Sequence, residues 1–139
     1  MMLGSACVHT YSRSQAIIAL SSGEAEYYGL VSAVSAALGL QSTLKDWGWT
    51  VNIRVLMDAS TGIAIGSRRG LGRVKHIDTV FLWVQQLVTN KKIRLEKRPT
   101  GSMLADFLTK NVDRQNVERC MAGLNLHFKE GVSKLALKA

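Results

Sequence analysis

The sequence predicts an α/β domain in which strands and amphipathic helices alternate along the chain. Three observations support this prediction: apolar residues recur at helical spacing after Ser21, residues 53–57 are apolar except for Arg54, and Ile93 and Leu95 alternate with charged residues. Periods of about 3.6 and 2 residues distinguish an amphipathic helix from a half-exposed strand. The resulting order of elements predicts a mixed sheet flanked by helices.

The composition is that of a single globular domain with a basic surface. The chain has 139 residues, of which 47% are hydrophobic and 20% are charged, and this balance excludes a disordered chain. The net charge of +8 favours an anionic partner such as nucleic acid, an acidic membrane surface or an acidic protein. No apolar run is long enough to span a bilayer. Two cysteines are too few for a disulfide framework, which fits an intracellular location in the cytoplasm or nucleus and leaves an organelle open.

The first half of the chain predicts a hairpin, a long helix and a buried strand. Residues 5–11 and 16–20 suit two strands joined by a polar turn. Ser21 is a good helix cap, and acids in the first turn suit the helix dipole, so a helix should start there and run to about Trp47. Residues 53–57 then form a strand that stops at Asp58.

The second half predicts short helices around one more strand. A helix over residues 59–67 should be followed by a mobile basic loop, because residues 66–73 are rich in glycine and arginine. The next helix starts near Ile77 and stops at Asn90, and a half-exposed strand follows it. The remaining elements are a turn at residues 99–101, a helix over 103–108, and a short helix from Asp113 followed by a basic tail.

Three acids occupy positions that favour chemistry. Glu26 and Asp106 lie in the first turns of predicted helices, and Asp58 lies at the carboxyl end of a predicted strand, where sites in α/β sheets form. Clustered carboxylates repel one another, so such a site needs a hard divalent cation, and Mg²⁺ prefers oxygen ligands. Each acid also has a purely structural interpretation, as a helix-terminal acid, a helix cap or a surface acid. Spacing alone does not decide between these interpretations.

Four short segments stand in one order between residues 12 and 110. They are Leu20-Ser21-Ser22-Gly23-Glu24-Ala25-Glu26-Tyr27, Asp58-Ala59-Ser60-Thr61-Gly62-Ile63-Ala64, Val74-Lys75-His76-Ile77-Asp78, and Pro99-Thr100 with Leu104-Ala105-Asp106-Phe107-Leu108-Thr109-Lys110. Together they resemble the ribonuclease H-like domain of copia-type retrotransposon polyproteins, and four motifs in order are more specific than any one of them. Ala59 departs from the family, which usually has asparagine there.

The resemblance implies an activity and a set of ligands. Glu26, Asp58 and Asp106 match carboxylates that hold two Mg²⁺ ions and cleave the RNA strand of an RNA–DNA hybrid. One ion activates the attacking water, and the other stabilises the leaving 3′ oxygen. The family also has an aspartate on its first strand, whereas no Asp or Glu precedes Glu24 in these 139 residues. We therefore expect impaired or absent cleavage.

The resemblance also predicts the domain organisation. We expect an N-terminally truncated ribonuclease H-like domain over residues 1–112, without its first strand, and a C-terminal helix with a basic tail over residues 113–139. Loss of a central strand leaves an open sheet edge with unpaired backbone groups. A protein partner or self-association is expected to cover that edge.

The basic loop between residues 68 and 76 is the predicted contact for nucleic acid, because phosphate contacts need charge and flexibility. Its cationic members are Arg68, Arg69, Arg73 and Lys75. His76 either joins them or packs as a helix-start residue, and the lack of a positioned partner favours packing. The three tryptophans are expected to pack in the core or at its edge rather than to stack on bases.

Three functions remain open from the sequence. The chain is a ribonuclease H-family enzyme domain, a non-catalytic nucleic-acid-binding module, or a structural subunit recruited into a larger assembly. Metal-dependent cleavage, salt-sensitive hybrid binding without cleavage, and tight co-purification with other chains distinguish the three.

Overall fold

The computed structural model describes residues 1–72, 77, 79–105, 111 and 113–127. These residues form a mixed α/β structure, as predicted. The elements in chain order are strands β1 (Met2–Leu3) and β2 (Ala6–Cys7), helix α1 (Ser22–Asp46), strand β3 (Ile53–Met57), helices α2 (Ser60–Ser67) and α3 (Trp83–Thr89), strand β4 (Ile93–Lys97) and helix α4 (Arg114–Gly123). Short 3-10 turns cover Thr79–Leu82 and Thr100–Ser102.

Helix α1 begins at the predicted cap. The backbone N–H of Glu24 donates to the hydroxyl of Ser21 at 3.2 Å, and the Glu24 carboxylate accepts the N–H of Leu20 at 2.8 Å. Glu24 is only 3% exposed, so its role is structural. Such reciprocal capping satisfies donors that have no partner within the helix and stabilises it by about 1 kcal/mol. The helix then runs to Asp46, close to the predicted end at Trp47.

The core forms where α1 packs against the parallel pair of β3 and β4. The two strands pair in register from Ile53 opposite Ile93 to Met57 opposite Lys97. Both predicted strands are therefore confirmed. The buried side chains of the core belong to α1, α2, α3, β3 and β4, and to Ile77 between α2 and α3. They are Tyr27, Leu30, Val31, Val34, Ile53, Met57, Ile65, Ile77, Val84 and Ile93.

Two glycines let α2 approach its neighbours closely. A Cβ atom on Gly66 would lie 2.8 Å from Leu95 and 2.9 Å from Leu30, and a Cβ on Gly62 would lie 2.6 Å from the terminal methyl of Met57. Distances this short exclude a larger side chain without rearrangement. The start of α1, the start of α2 and the end of β3 therefore meet at one place.

The predicted hairpin and the single mixed sheet are wrong for the described residues. Residues 8–20 have no regular secondary structure, and Ile18 is 89% exposed. The described residues contain two separate two-stranded sheets, the antiparallel β1–β2 pair and the parallel β3–β4 pair. A β-prone segment becomes a strand only when its backbone groups find a partner, and no described strand pairs with residues 16–20.

The chain divides into two compact units. One is Arg13–Met103, which contains α1, α2, α3, β3, β4 and the core. The other combines Met1–Ser12 with Leu104–Ala139; in it Asp113 caps α4 by accepting the N–H of Asn116 at 2.7 Å. The short helix predicted from Asp113 is thus confirmed. Most of the helix predicted over 103–108, and the tail from residue 128, lie outside the described residues, so the boundary predicted after residue 112 stays a prediction.

None of the described helices is both long enough and apolar enough to cross a membrane.

Candidate functional site

The carboxyl ends of β3 and β4 lie at one edge, because the two strands are parallel. Half-buried Asp58 follows β3, and exposed Lys97 ends β4. The Lys97 ammonium donates to the hydroxyl of Ser60 at 2.5 Å, and the backbone N–H of Arg98 donates to the carbonyl of Met57 at 2.8 Å. This edge therefore combines one predicted site acid with two cationic residues.

Glu26 reaches the same edge through the close packing of α1 on α2. Its Cβ lies 3.2 Å from the place that a Cβ on Gly62 would occupy, and the terminal methyl of Met57 lies 2.6 Å from the same place. Asp58 directly follows Met57, so Glu26 on α1 and Asp58 at the end of β3 belong to neighbouring elements. The third predicted acid, Asp106, lies outside the described residues.

The donor chemistry of these two acids suits a hard cation. Both side chains offer carboxylate oxygens, and exposed Glu26 is accessible to solvent ions. Across the parts of the chain that the structure describes, no group of three His, Cys, Asp or Glu side chains is placed to hold a metal ion. Two of the three predicted Mg²⁺ ligands are thus on adjacent elements, and the two-metal site stays a prediction.

Tyr27 anchors the turn of α1 that carries Glu26. Its side chain is fully buried, and its hydroxyl donates to the carbonyl of Phe81 at 2.9 Å. Burial raises the pKa of Tyr27 to about 12, although the positive charge of Arg68 opposes part of that rise. The phenol is therefore neutral at physiological pH, and its bond to Phe81 fixes the helix next to the site.

Hydrogen bonds from Gln85 hold the described part of the basic loop. The side-chain amide of Gln85 donates to the carbonyls of Ile65 at 2.9 Å and Gly70 at 3.0 Å, and its oxygen accepts the N–H of Gly70 at 2.8 Å. Gln85 is buried, so these bonds are shielded from water. These bonds tie residues 68–72 to α3 and α2, and the mobility expected of the loop stays a prediction. The sequence signal for Gln85 was a polar residue among the apolar positions of α3.

Only two of the five predicted nucleic-acid contacts are described. Half-buried Arg68 donates from its guanidinium to the carbonyl of Leu71, so it holds the loop together. Arg69 is exposed and borders an open cleft of about 430 Å³ between the loop and α3. The other predicted contacts lie outside the described residues: Arg73, Lys75 and His76.

The tryptophans divide into two groups. Trp83 packs against the core, as predicted. Trp47 and Trp49 are 72% and 62% exposed, so the prediction that they pack in the core or at its edge is wrong. Trp47 follows the last turn of α1, and Trp49 lies in the connection to β3, where neither indole is covered.

These residues belong to a mixed α/β domain with candidate carboxylates on two neighbouring elements and a basic loop. The chain is similar to the retrovirus-related Pol polyprotein from transposon TNT 1-94 of Nicotiana tabacum, with 29% identity over 118 residues. The match covers 84% of this chain and only 9% of that polyprotein's length. The similarity supports an origin in a retrotransposon polyprotein. No protein-family model matches the chain, and no solved structure matches it.

Proposed function

We propose that this chain is a ribonuclease H-like part of a retrotransposon polyprotein. The proposed activity is Mg²⁺-dependent cleavage of the RNA strand in RNA–DNA hybrids, impaired in these 139 residues taken alone. The observation that supports the proposal is that Glu26 and the side chain of Met57, the residue before Asp58, both approach Gly62. The four ordered motifs and the similarity to a transposon Pol polyprotein support it.

Each residue of the proposed site has a distinct task. Glu26, Asp58 and Asp106 supply carboxylate oxygens that would hold Mg²⁺. When bound, Mg²⁺ supplies an activated water and stabilises charge on the leaving oxygen of the scissile phosphate. Tyr27 and Gly62 position Glu26, since one fixes its helical turn and the other allows α2 to lie against it.

The proposed substrate contacts are electrostatic. Exposed Lys97 and Arg98 stand at the same edge as Asp58, where they attract the phosphate backbone and offset the repulsion that the carboxylates exert on it. Exposed Arg69 contacts phosphate from the loop, together with Arg73, Lys75 and His76. Arg68 supports that loop through its bond to Leu71.

The expected impairment concerns these 139 residues taken alone, in which no Asp or Glu precedes Glu24. The family's first-strand aspartate would help to hold Mg²⁺, so metal affinity and rate would be lower without it. The net charge of +8 favours the second candidate function, a non-catalytic module that binds hybrids through its basic surface.

A structural role in an assembly is favoured by a different observation. Among the described residues β3 pairs with β4 alone, and the side chains of Ile18 and Leu20 are exposed. A protein partner or a second copy of the chain would cover such surfaces. Co-purification with a stoichiometric partner, without hybrid binding, would favour this role over the other two.

The test is cleavage of a labelled RNA–DNA hybrid with Mg²⁺ or Mn²⁺, alongside hybrid binding at two salt concentrations. The chain is compared with a Glu26→Gln/Asp58→Asn double variant and with Asp46→Asn, a matched control that removes an exposed carboxylate at the far end of α1. We expect salt-sensitive binding in all three proteins, and weak cleavage that only the double variant abolishes. Cleavage that survives in the double variant, or absence of hybrid binding at low salt, would contradict the proposal.

A further inference from the structure

Two exposed indoles lie on an ordered turn at the end of α1. The backbone N–H of Trp49 donates to the carbonyl of Leu44 at 2.8 Å, and the side-chain amide of Gln41 donates to the carbonyl of Val51 at 2.7 Å. Gly48, between the two indoles, adopts a positive φ of 85°, which only glycine adopts at little cost. The turn is therefore fixed while Trp47 and Trp49 face solvent, which is typical of a binding surface.

A pair of lysines lies at the same edge of the strand pair as these indoles. Residues 49–52 lead into β3, and Lys91 and Lys92 lead into β4, so all of them precede the amino ends of two parallel strands. The register pairs Ile53 with Ile93, so residue 52 and Lys92 each directly precede a paired residue. Three residues span at most about 10 Å, and neighbouring strands are about 5 Å apart, so a short oligonucleotide can reach from Trp49 to Lys92.

We propose that this amino edge, formed by Trp47, Trp49, Lys91 and Lys92, binds single-stranded nucleic acid. Bases stack on the indoles, and the lysines contact the phosphates. Stacking requires unpaired bases, because the faces of bases inside a duplex are covered by their neighbours. The site lies at the opposite end of the strands from Asp58 and does not depend on the cleavage proposed above.

Charge favours nucleic acid over an apolar protein partner. The chain carries a net charge of +8, and Lys91, Lys92 and Lys45 are all exposed. Asp46 offsets Lys45 on the same turn, and the negative carboxyl end of the α1 dipole disfavours phosphate. The phosphates therefore lie on the side of Lys91 and Lys92, and the bases lie over the indoles.

The test is fluorescence anisotropy with labelled oligo-deoxythymidine and oligo-uridine in EDTA, where no metal contributes. A Trp47→Ala/Trp49→Ala variant should lower affinity by at least about tenfold, because each stacked base contributes substantially to binding. A Trp47→Tyr/Trp49→Tyr variant should recover most of that loss. A Lys91→Gln/Lys92→Gln variant should lower affinity and reduce the salt slope by about 1.4, since each phosphate contact contributes about 0.7 for single strands.

Matched controls separate this site from general effects. Arg114→Gln/Arg119→Gln removes two exposed cations from α4, and Ile18→Ala/Leu20→Ala removes two exposed apolar side chains; both should leave affinity within about twofold. The assay contains neither metal nor hybrid, so failure of cleavage and failure of this site are distinguishable. Equal affinity of the tryptophan variants and the parent chain, or equal losses in the two cation variants, would overturn the proposal.

Discussion

Residues 53–57 and 16–20 are two five-residue apolar segments with opposite outcomes. The first forms β3, with Ile53 buried and its backbone paired to β4. The second has no regular structure, and Ile18 is exposed. Their local preferences are alike, so the difference lies in the presence of a partner strand. A strand is formed by pairing, and composition alone does not reveal whether the pairing exists.

The largest expected effect tests this contrast directly. Ile93→Ala removes a side chain that is 2% exposed and joins β4 to the core, so it should cost about 2–5 kcal/mol of unfolding free energy. Ile18→Ala should change stability by less than about 0.5 kcal/mol. Urea denaturation followed by circular dichroism measures both. Similar losses in the two variants would mean that residues 16–20 are packed in solution.

A second prediction concerns the close packing around β3 and β4. Gly66→Val introduces atoms where even a Cβ would lie 2.8 Å from Leu95, so it should destabilise the chain by about 1–3 kcal/mol. Gly39→Ala is the matched control on α1, where a Cβ meets nothing within 4 Å, and it should stabilise the helix by about 0.5–1 kcal/mol. Thermal unfolding of both variants separates the effect of steric clash on stability from the effect of helix propensity. Destabilisation by Gly39→Ala would contradict the open surface at that position.

A third prediction concerns Gln85. Like β3, this side chain depends on partners that are distant along the chain. Gln85→Leu leaves the polar groups of Ile65 and Gly70 without their partner, which should cost about 1–3 kcal/mol. Hydrogen exchange at the Gly70 amide should also accelerate. Gln86→Leu, at the exposed next position, is the control and should leave that amide protected. Unchanged exchange in Gln85→Leu would show that other contacts hold the loop.

The smallest expected effect concerns the buried phenol of Tyr27. Its pKa is about 12 in the folded chain and 10.0 in an exposed tyrosine, so the unfolded chain loses this proton first as pH rises. The contribution of Tyr27 to stability is thus complete below pH 10 and declines between pH 10 and 12. Tyr27→Phe should cost about 1 kcal/mol at neutral pH by losing the bond to Phe81.

The measurement for Tyr27 is urea denaturation at several pH values. The difference in unfolding free energy between the parent chain and Tyr27→Phe isolates this phenol from the lysines and the other tyrosines that titrate nearby. That difference should shrink as pH rises from 10 to 12. A difference that stays constant over this range would mean that the phenol is accessible to water.

The contrast between local and distant determinants explains what the sequence could predict. Helix α1 and the Ser21 cap depend on residues within a few positions, and the predicted start matched the structure. Strands β3 and β4 were predicted from period and apolar character, but their pairing was not. Glu26 and Asp58 were selected from the ends of elements and from resemblance. The approach of Glu26 and Met57 to Gly62 depends on a helix contact that no local pattern shows.

The exposure of the two tryptophans and the hydrogen-bond partners of Gln85 lay beyond sequence reasoning for the same reason. A tryptophan at a helix end packs or faces solvent according to what the following loop covers, and residues 48–52 leave both indoles open. Gln85 gains its importance from the carbonyls of Ile65 and Gly70, which are distant along the chain. Each outcome is decided by neighbours that only the folded chain supplies.

The hydrogen bonds of Gln85 also affect the thermodynamics of any ligand held by Arg69. Ordering one flexible residue costs about 1–2 kcal/mol of backbone entropy, and binding to a disordered loop would include that cost for every residue fixed. Here Gly70 is held before any ligand arrives, so the neighbouring arginine is already presented in one backbone arrangement. Binding through this loop should therefore carry a smaller entropic penalty than the glycine content of the loop suggests. The Gln85→Leu substitution should increase that penalty.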